Sequence, residues 1–169
     1  MTSRPPWLPE ELRYDDYKGD WNKFLEVVYG VFERDFKHSC PRYKGLPLAY
    51  DSKLEAGKEM AFWHLIQRHD CRAQDRVPDL RRCERIPWPK PIIEHPTDKA
   101  ISVWKKEIHR QTRIHIWLHG LDYIVVLAEM PNVMVLVTAF CTDIKSYRRK
   151  LIKDRDHYLE MQKPPRRTT

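Results

Sequence analysis

The chain is short of glycine, with 5 in 169 residues and none in a GxGxxG or GxxxxGK pattern. Such loops hold phosphates on closely approaching backbone amides, so their absence argues against nucleotide-dependent phosphoryl transfer. Cysteine is also sparse. Cys40, Cys71, Cys83 and Cys141 form no CxxC pair, and no HExxH helix or EF-hand loop occurs. A disulfide framework and the common metal sites are thereby disfavoured, and the thiols are read as reduced and structural. His69, Asp70 and Cys71 are the nearest approach to a ligand set, but three adjacent residues rarely converge on one ion. No metal and no cofactor are expected. No run reaches the roughly 18 consecutive apolar residues of a membrane span, and the opening MTSRPPWLPEELRYDD has no apolar signal stretch. The chain reads as soluble and cytoplasmic, with no membrane partner.

Positive charge, by contrast, is plentiful. Lys and Arg number 31 against 24 Asp and Glu, a formal net charge of +7. That balance favours a polyanionic partner, nucleic acid ahead of a membrane surface because no amphipathic anchor is evident. With 41% hydrophobic residues the length suits one core. Residues 1–19 read as an extended Pro-rich arm, 20–160 as a single α+β domain, and 161–169 as a flexible basic tail.

Asp20 is placed to cap a helix through WNKFLEVVYGVFERDFKH, where Phe24, Val27, Val28, Val31 and Phe32 recur at helical spacing. RYKGLPLAYDSK has room for a short strand. A helix is expected from about Lys58 to His69, with Ala61, Phe62, Leu65 and Ile66 on its core arc and Met60, His64, Gln67 and Arg68 roughly opposite. His69, near the centre of the apolar arc, is the candidate packed histidine. Prolines 78, 87, 89, 91 and 96 restrict the next stretch to short pieces, and a further helix is expected from Lys99 to His109.

RIHIWLH, DYIVVLAE and VMVLVTAFC, separated by turns at His119-Gly120 and Pro131-Asn132, have the pattern of an antiparallel meander. Ile114, Ile116 and Leu118 alternate with Arg113, His115, Trp117 and His119, which predicts one apolar face and one basic, aromatic face. Strict alternation in the third run puts Thr138 and Phe140 on one face with Met134 and Leu136. DIKSYRRKLIKDRDHYLE reads as a last helix. The fold class is therefore α+β, N-terminal helices packed on a C-terminal antiparallel β-sheet.

These residues supply a metal-free toolkit. His64 can carry a proton near neutral pH. Arg76, Arg81, Arg82 and Arg85 are guanidinium groups shaped to clamp phosphate. Thr138 offers a hydroxyl beside the Phe140 ring. Together they are the parts that RNA cleavage needs when the ribose 2′-hydroxyl is the nucleophile. The bland reading of each stands beside it: a surface histidine, a salt-bridged arginine run with Asp79 and Glu84 as partners, a strand threonine, and Trp88 and Trp104 as packing residues.

GKEMAFWHL, RVPDLRRCERIPWPKPIIE, IWLHGLDYIVVLAE and LVTAF resemble, from about Trp21 to Leu159, a family of small bacterial and phage- or mobile-element-borne proteins. More loosely, a helical part with a histidine followed by a sheet ending in Thr-Ala-aromatic is similar to the barnase, EndoU, colicin and RelE-like ribonuclease superfamily. That resemblance implies a metal-independent endoribonuclease acting as a toxin or phage-conflict effector. It implies RNA as substrate and an antitoxin or immunity protein as a partner. The positions carried over as catalytic are His64, Arg82, Arg85, Arg113 and Thr138, with Arg81, Lys90, His115, Trp117 and Phe140 as nucleic-acid contacts. The family aromatic is usually Tyr; here it is Phe140, which has no hydroxyl. The competing expectation is a non-catalytic nucleic-acid- or protein-binding module of a phage or mobile element. It would display Arg81, Arg82, Arg85 and Lys90 on a flat or convex surface, whereas an enzyme would gather His64 with arginines in a concave pocket.

Overall fold

Asp20 opens the first helix as its sequence predicts: its carboxylate accepts the Lys23 amide at 3.1 Å, capping α1 (Trp21–Phe32). In a computed structural model, which describes residues 4–70, 72 and 74–164, Phe24, Val28 and Phe32 of this helix are fully buried. Val27, expected on the same stripe, is exposed. A π-helical turn, Glu33–Lys37, continues α1. The expected structural role of Cys71 and the last residues of the basic tail, 165–169, fall outside the described residues.

Among the described residues, ten strands and four further α-helices follow. They are β1 (Arg42–Tyr43), β2 (Leu46–Ala49), β3 (Leu54–Glu55), β4 (Lys58–Glu59), α2 (Met60–Ile66), β5 (Gln67–Asp70), β6 (Asp75–Pro78), α3 (Leu80–Glu84) and α4 (Pro89–Glu94). The C-terminal half comprises β7 (Ile101–Ile108), β8 (Gln111–Leu118), β9 (Tyr123–Met130), β10 (Val133–Cys141) and α5 (Lys145–Met161). Six strands make the main sheet in the order β1-β2-β10-β9-β8-β7, antiparallel except where β2 joins β10 in parallel. The class is α+β, and α1–α4 precede the long antiparallel strands.

The main core lies between the N-terminal helices and one sheet face. Phe24, Phe32, Phe62, Leu65 and Ile66 meet Ile114, Ile116, Leu118, Val125 and Leu127 there. The arm joins it: Leu8 is buried, Trp88 Nε1 donates to the Pro9 carbonyl at 3.1 Å, and Trp7 stacks on His95.

Two helix expectations are corrected. The helix expected from Lys58 to His69 covers only Met60–Ile66, because the apolar arc ends at Ile66 and Gln67–Asp70 pair with Asp75–Pro78 as a hairpin. His69 is therefore an exposed strand residue rather than a packed one. The Lys99–His109 segment is strand β7: eight consecutive pairs with β8 outweigh the local helix preference of its Lys-Lys-Glu run.

The alternation in β8 holds, with Ile114, Ile116 and Leu118 in the main core. The opposite face is not open. Helix α5 covers it, and Trp104, Trp117, Ile124 and Leu151 form a second buried cluster flanked by Phe140 and Tyr147.

Candidate functional site

A β-bulge at Val137 determines what reaches the site. Pairing between β10 and β9 shifts between Leu136, opposite Leu127, and Thr138, opposite Val126. One extra residue reverses the side-chain parity. Met134 and Leu136 consequently enter the main core, whereas Phe140 joins the cluster beneath α5 and Thr138 shares its side of the strand. The expectation that all four share a face is thus corrected.

Beyond Ala49, β2 no longer pairs with β10, and the freed edge faces the end of α2 and the β5–β6 hairpin. Thr138 Oγ1 donates to the His64 carbonyl at 2.9 Å, fixing this contact. A groove opens here, lined along one lobe of about 340 Å³ by His64, Gln67, Arg68, His69, Arg76, Arg82, Val137, Thr138 and Phe140. A second lobe of about 420 Å³ shares Arg68, His69, Arg82 and Phe140 and adds Asp79, Arg81, Cys141, Ile144 and Tyr147. Both volumes lie within the ordinary range of ligand pockets.

The first lobe has three arginines, two histidines and no carboxylate among its lining residues. Burial, reinforced by the Arg76 charge, lowers the pKa of His64, favouring the neutral imidazole at physiological pH. Arg82 is half-buried, donates to the Gln67 carbonyl and lies over the Phe140 ring at 5.5 Å. Desolvation pushes its pKa down, yet a guanidinium retains its charge at neutral pH.

Asp79 organises the second lobe. Its carboxylate caps α3 through the Arg81 and Arg82 amides at 3.0 and 3.3 Å and lies 3.8 Å from Arg68 Nε. Arg81 is paired with Asp143. The Cys141 thiol is pushed up by burial despite Arg85 and Arg81 nearby, so it is not an activated nucleophile.

Of the expected catalytic set, His64, Arg82 and Thr138 meet in this groove, with Phe140 beside them and Arg81 in the second lobe. Thr138 spends its hydroxyl proton on the His64 carbonyl. Arg85 turns away, with Nε 3.4 Å from Glu11 and its guanidinium 5.1 Å over Trp88, although Nη1 reaches Cys141 Sγ at 3.4 Å. Arg113 lies on β8, two strands from β10, and does not line the groove. Lys90 is on α4, paired with Glu94 at 3.3 Å.

His115 and Trp117 are 6% and 1% exposed, so neither offers a contact surface. His115 stacks on Trp104 with ring centroids 5.1 Å apart, and burial lowers its pKa to about 4. His69, Arg68 and Tyr147 are among the groove residues that the sequence did not mark as site residues. His69 and Arg68 required the strand after Ile66 to be recognised, and Tyr147 required the docking of α5. The polar run Gln-Arg-His-Asp at 67–70 is the signal that could have ended the helix early.

Among the described residues, no three His, Cys, Asp or Glu side chains gather as a metal-ligand set, and no helix is long and apolar enough to cross a membrane. No protein-family model, no curated protein and no solved structure matches this chain.

Proposed function

We propose that the groove binds RNA and cleaves it by attack of a ribose 2′-hydroxyl on the adjacent phosphate. The observation that carries this reading is the meeting of two histidines with Arg68, Arg76 and Arg82 in one concave lobe without an acidic lining residue. A flat or convex basic surface would have favoured a binding module. Strand cleavage of this kind needs one proton taken from the 2′-oxygen and one given to the departing 5′-oxygen. The O2′–P bond forms as the P–O5′ bond breaks, leaving a 2′,3′-cyclic phosphate and a 5′-hydroxyl.

His64, held neutral by burial and by Arg76, serves as the base. His69 in the same lobe supplies the second proton-carrying group. Arg82 and Arg76 hold the phosphate and offset charge developing on its oxygens. Thr138 positions the His64 backbone and does not touch substrate. The Phe140 ring, already under Arg82, gives the adjacent base an apolar wall.

A cytoplasmic toxin or phage-conflict role, with a neutralising antitoxin or immunity partner, follows from the ribonuclease resemblance and is part of the proposal. The second reading, RNA binding without cleavage, is favoured by one observation: Thr138, Arg85 and Arg113 are absent from the set free to act on substrate. The test is incubation of purified protein with mixed RNA, with and without a chelator, followed by end-group analysis. Cyclic phosphate termini in both samples support the proposal; binding with intact RNA supports the second reading.

A further inference from the structure

Helix α5 carries its charge against its own dipole. Its first turn has no acidic residue, while Lys145, Arg148, Arg149 and Lys150 occupy the end where the macrodipole is positive. On the side toward the sheet Arg148 is answered, pairing with Asp122 and lying 5.4 Å over Trp117, while the helix's own Asp154 is taken by Lys106 of β7 at 2.6 Å. The outer side is different. Lys145, Arg149 and Lys153 recur every fourth residue in one row, with Lys150 beside them, and all four are exposed. Among the described residues none of the four has an ion pair, and like charges at this spacing repel. The nearest acids further along, Asp156 and Glu160, are already paired with Arg155 and Lys163.

The row begins at the groove. Ile144 and Tyr147 line its second lobe, and Lys145 lies between them in the chain. From Lys145 to Lys153 the helix rises about 12 Å. We infer that this row is a track for the backbone of single-stranded RNA leaving the groove, an inference that rests on the RNA reading of that groove. The combination is the usual one for single strands: cations follow the phosphates while aromatic rings, here Phe140 and Tyr147 at 5.5 Å, receive a base. A duplex would keep its bases stacked and away from those rings. A bilayer is a poorer match, because Leu151 and Tyr147 face the sheet, and the exposed apolar residues Ile144, Leu159 and Met161 lie only at the two ends of the helix, outside the Lys145–Lys153 row.

The test is binding of the full chain to 2′-O-methyl oligoribonucleotides of increasing length, which the proposed chemistry cannot cut. Parent affinity should rise as the oligonucleotide outgrows the groove. The triple variant Arg149→Gln, Lys150→Gln, Lys153→Gln should lose most of that gain, about tenfold for the longest strand, with the salt slope shallower by about 2 units. If the triple variant does not fold, Arg149→Gln alone should still flatten the slope by about 0.7. Affinity that does not grow with length, or a folded variant that keeps the parent's length dependence and salt slope, overturns the track. Loss of binding to phosphatidylserine vesicles without loss to the oligonucleotides also overturns it. Unmodified RNA is assayed separately: a parent that gains affinity with length but cuts nothing retains the track and removes the cleavage reading.

Discussion

The Thr138 hydroxyl donates to the His64 carbonyl across 74 residues of sequence, tying the bulged edge of β10 to the last turn of α2. This carbonyl lies at a helix end, where intrahelical donors run out. Thr138→Val keeps the shape and removes the donor, so it should cost about 1 kcal/mol and lower Tm by about 2–4 °C. Cleavage should fall mainly in kcat, and Thr138→Ser should restore it. A Val variant with the parent's melting and cleavage rate would remove the positioning role.

Arg82 and Arg85 are three residues apart yet make opposite forecasts. Arg82 lines both lobes, and Arg82→Ala should lower the cleavage rate by about 10²–10³-fold, the usual effect of removing a donor to developing charge. Arg85 is occupied by Glu11 and Trp88. Arg85→Ala should therefore shift melting more than cleavage, with the rate staying within about threefold. Kinetics and melting on both variants provide the check.

Acid should weaken the fold in a defined window. The pKa of His115 falls from an ordinary 6.5 to about 4 when buried, with burial the main cause, the Lys106 charge acting in the same direction, and Asp154 and a hydrogen bond with the Arg113 backbone opposing them. A histidine with a depressed folded pKa contributes its full stability above the unfolded value and loses it as pH drops toward the folded one. Stability should decline between about pH 6.5 and 4, by on the order of 3 kcal/mol from this residue. His115→Phe can still stack on Trp104 but has no titrating group, and denaturant melts across that range should show a flatter pH profile. An unchanged profile would assign the acid sensitivity elsewhere.

Local patterns that agree with their tertiary setting were legible in the sequence. Asp20 before an apolar stripe marked α1, and Ile114, Ile116 and Leu118 gave the core face of β8. What escaped depends on partners distant in the chain. No residue type announces the bulge at Val137, which arises where β10 leaves β2 and meets α2. The polar Lys-Lys-Glu segment of β7 is held extended by β8. Arg113, His115 and Trp117 were correctly placed opposite the core residues, but period-2 alternation cannot reveal that a 17-residue helix lies over that second face. The site was legible in part for the same reason: His64, Arg82, Thr138 and Phe140 meet in one groove, whereas His69 joins them through a hairpin hidden behind an apparently continuous helix.

In the proposed RNA cleavage His64 carries a proton, and the single-turnover cleavage rate of His64→Ala, paired with its melting temperature in the presence of a chelator, tests this role directly. His64 is half-buried on the side of α2 that lines the groove. The variant should melt within a few degrees of the parent, bind 2′-O-methyl RNA nearly as well, and cleave unmodified RNA about 10²–10⁴-fold more slowly, the usual loss for a general acid or base. A well-folded His64→Ala protein that cleaves RNA at the parent's rate would contradict the account.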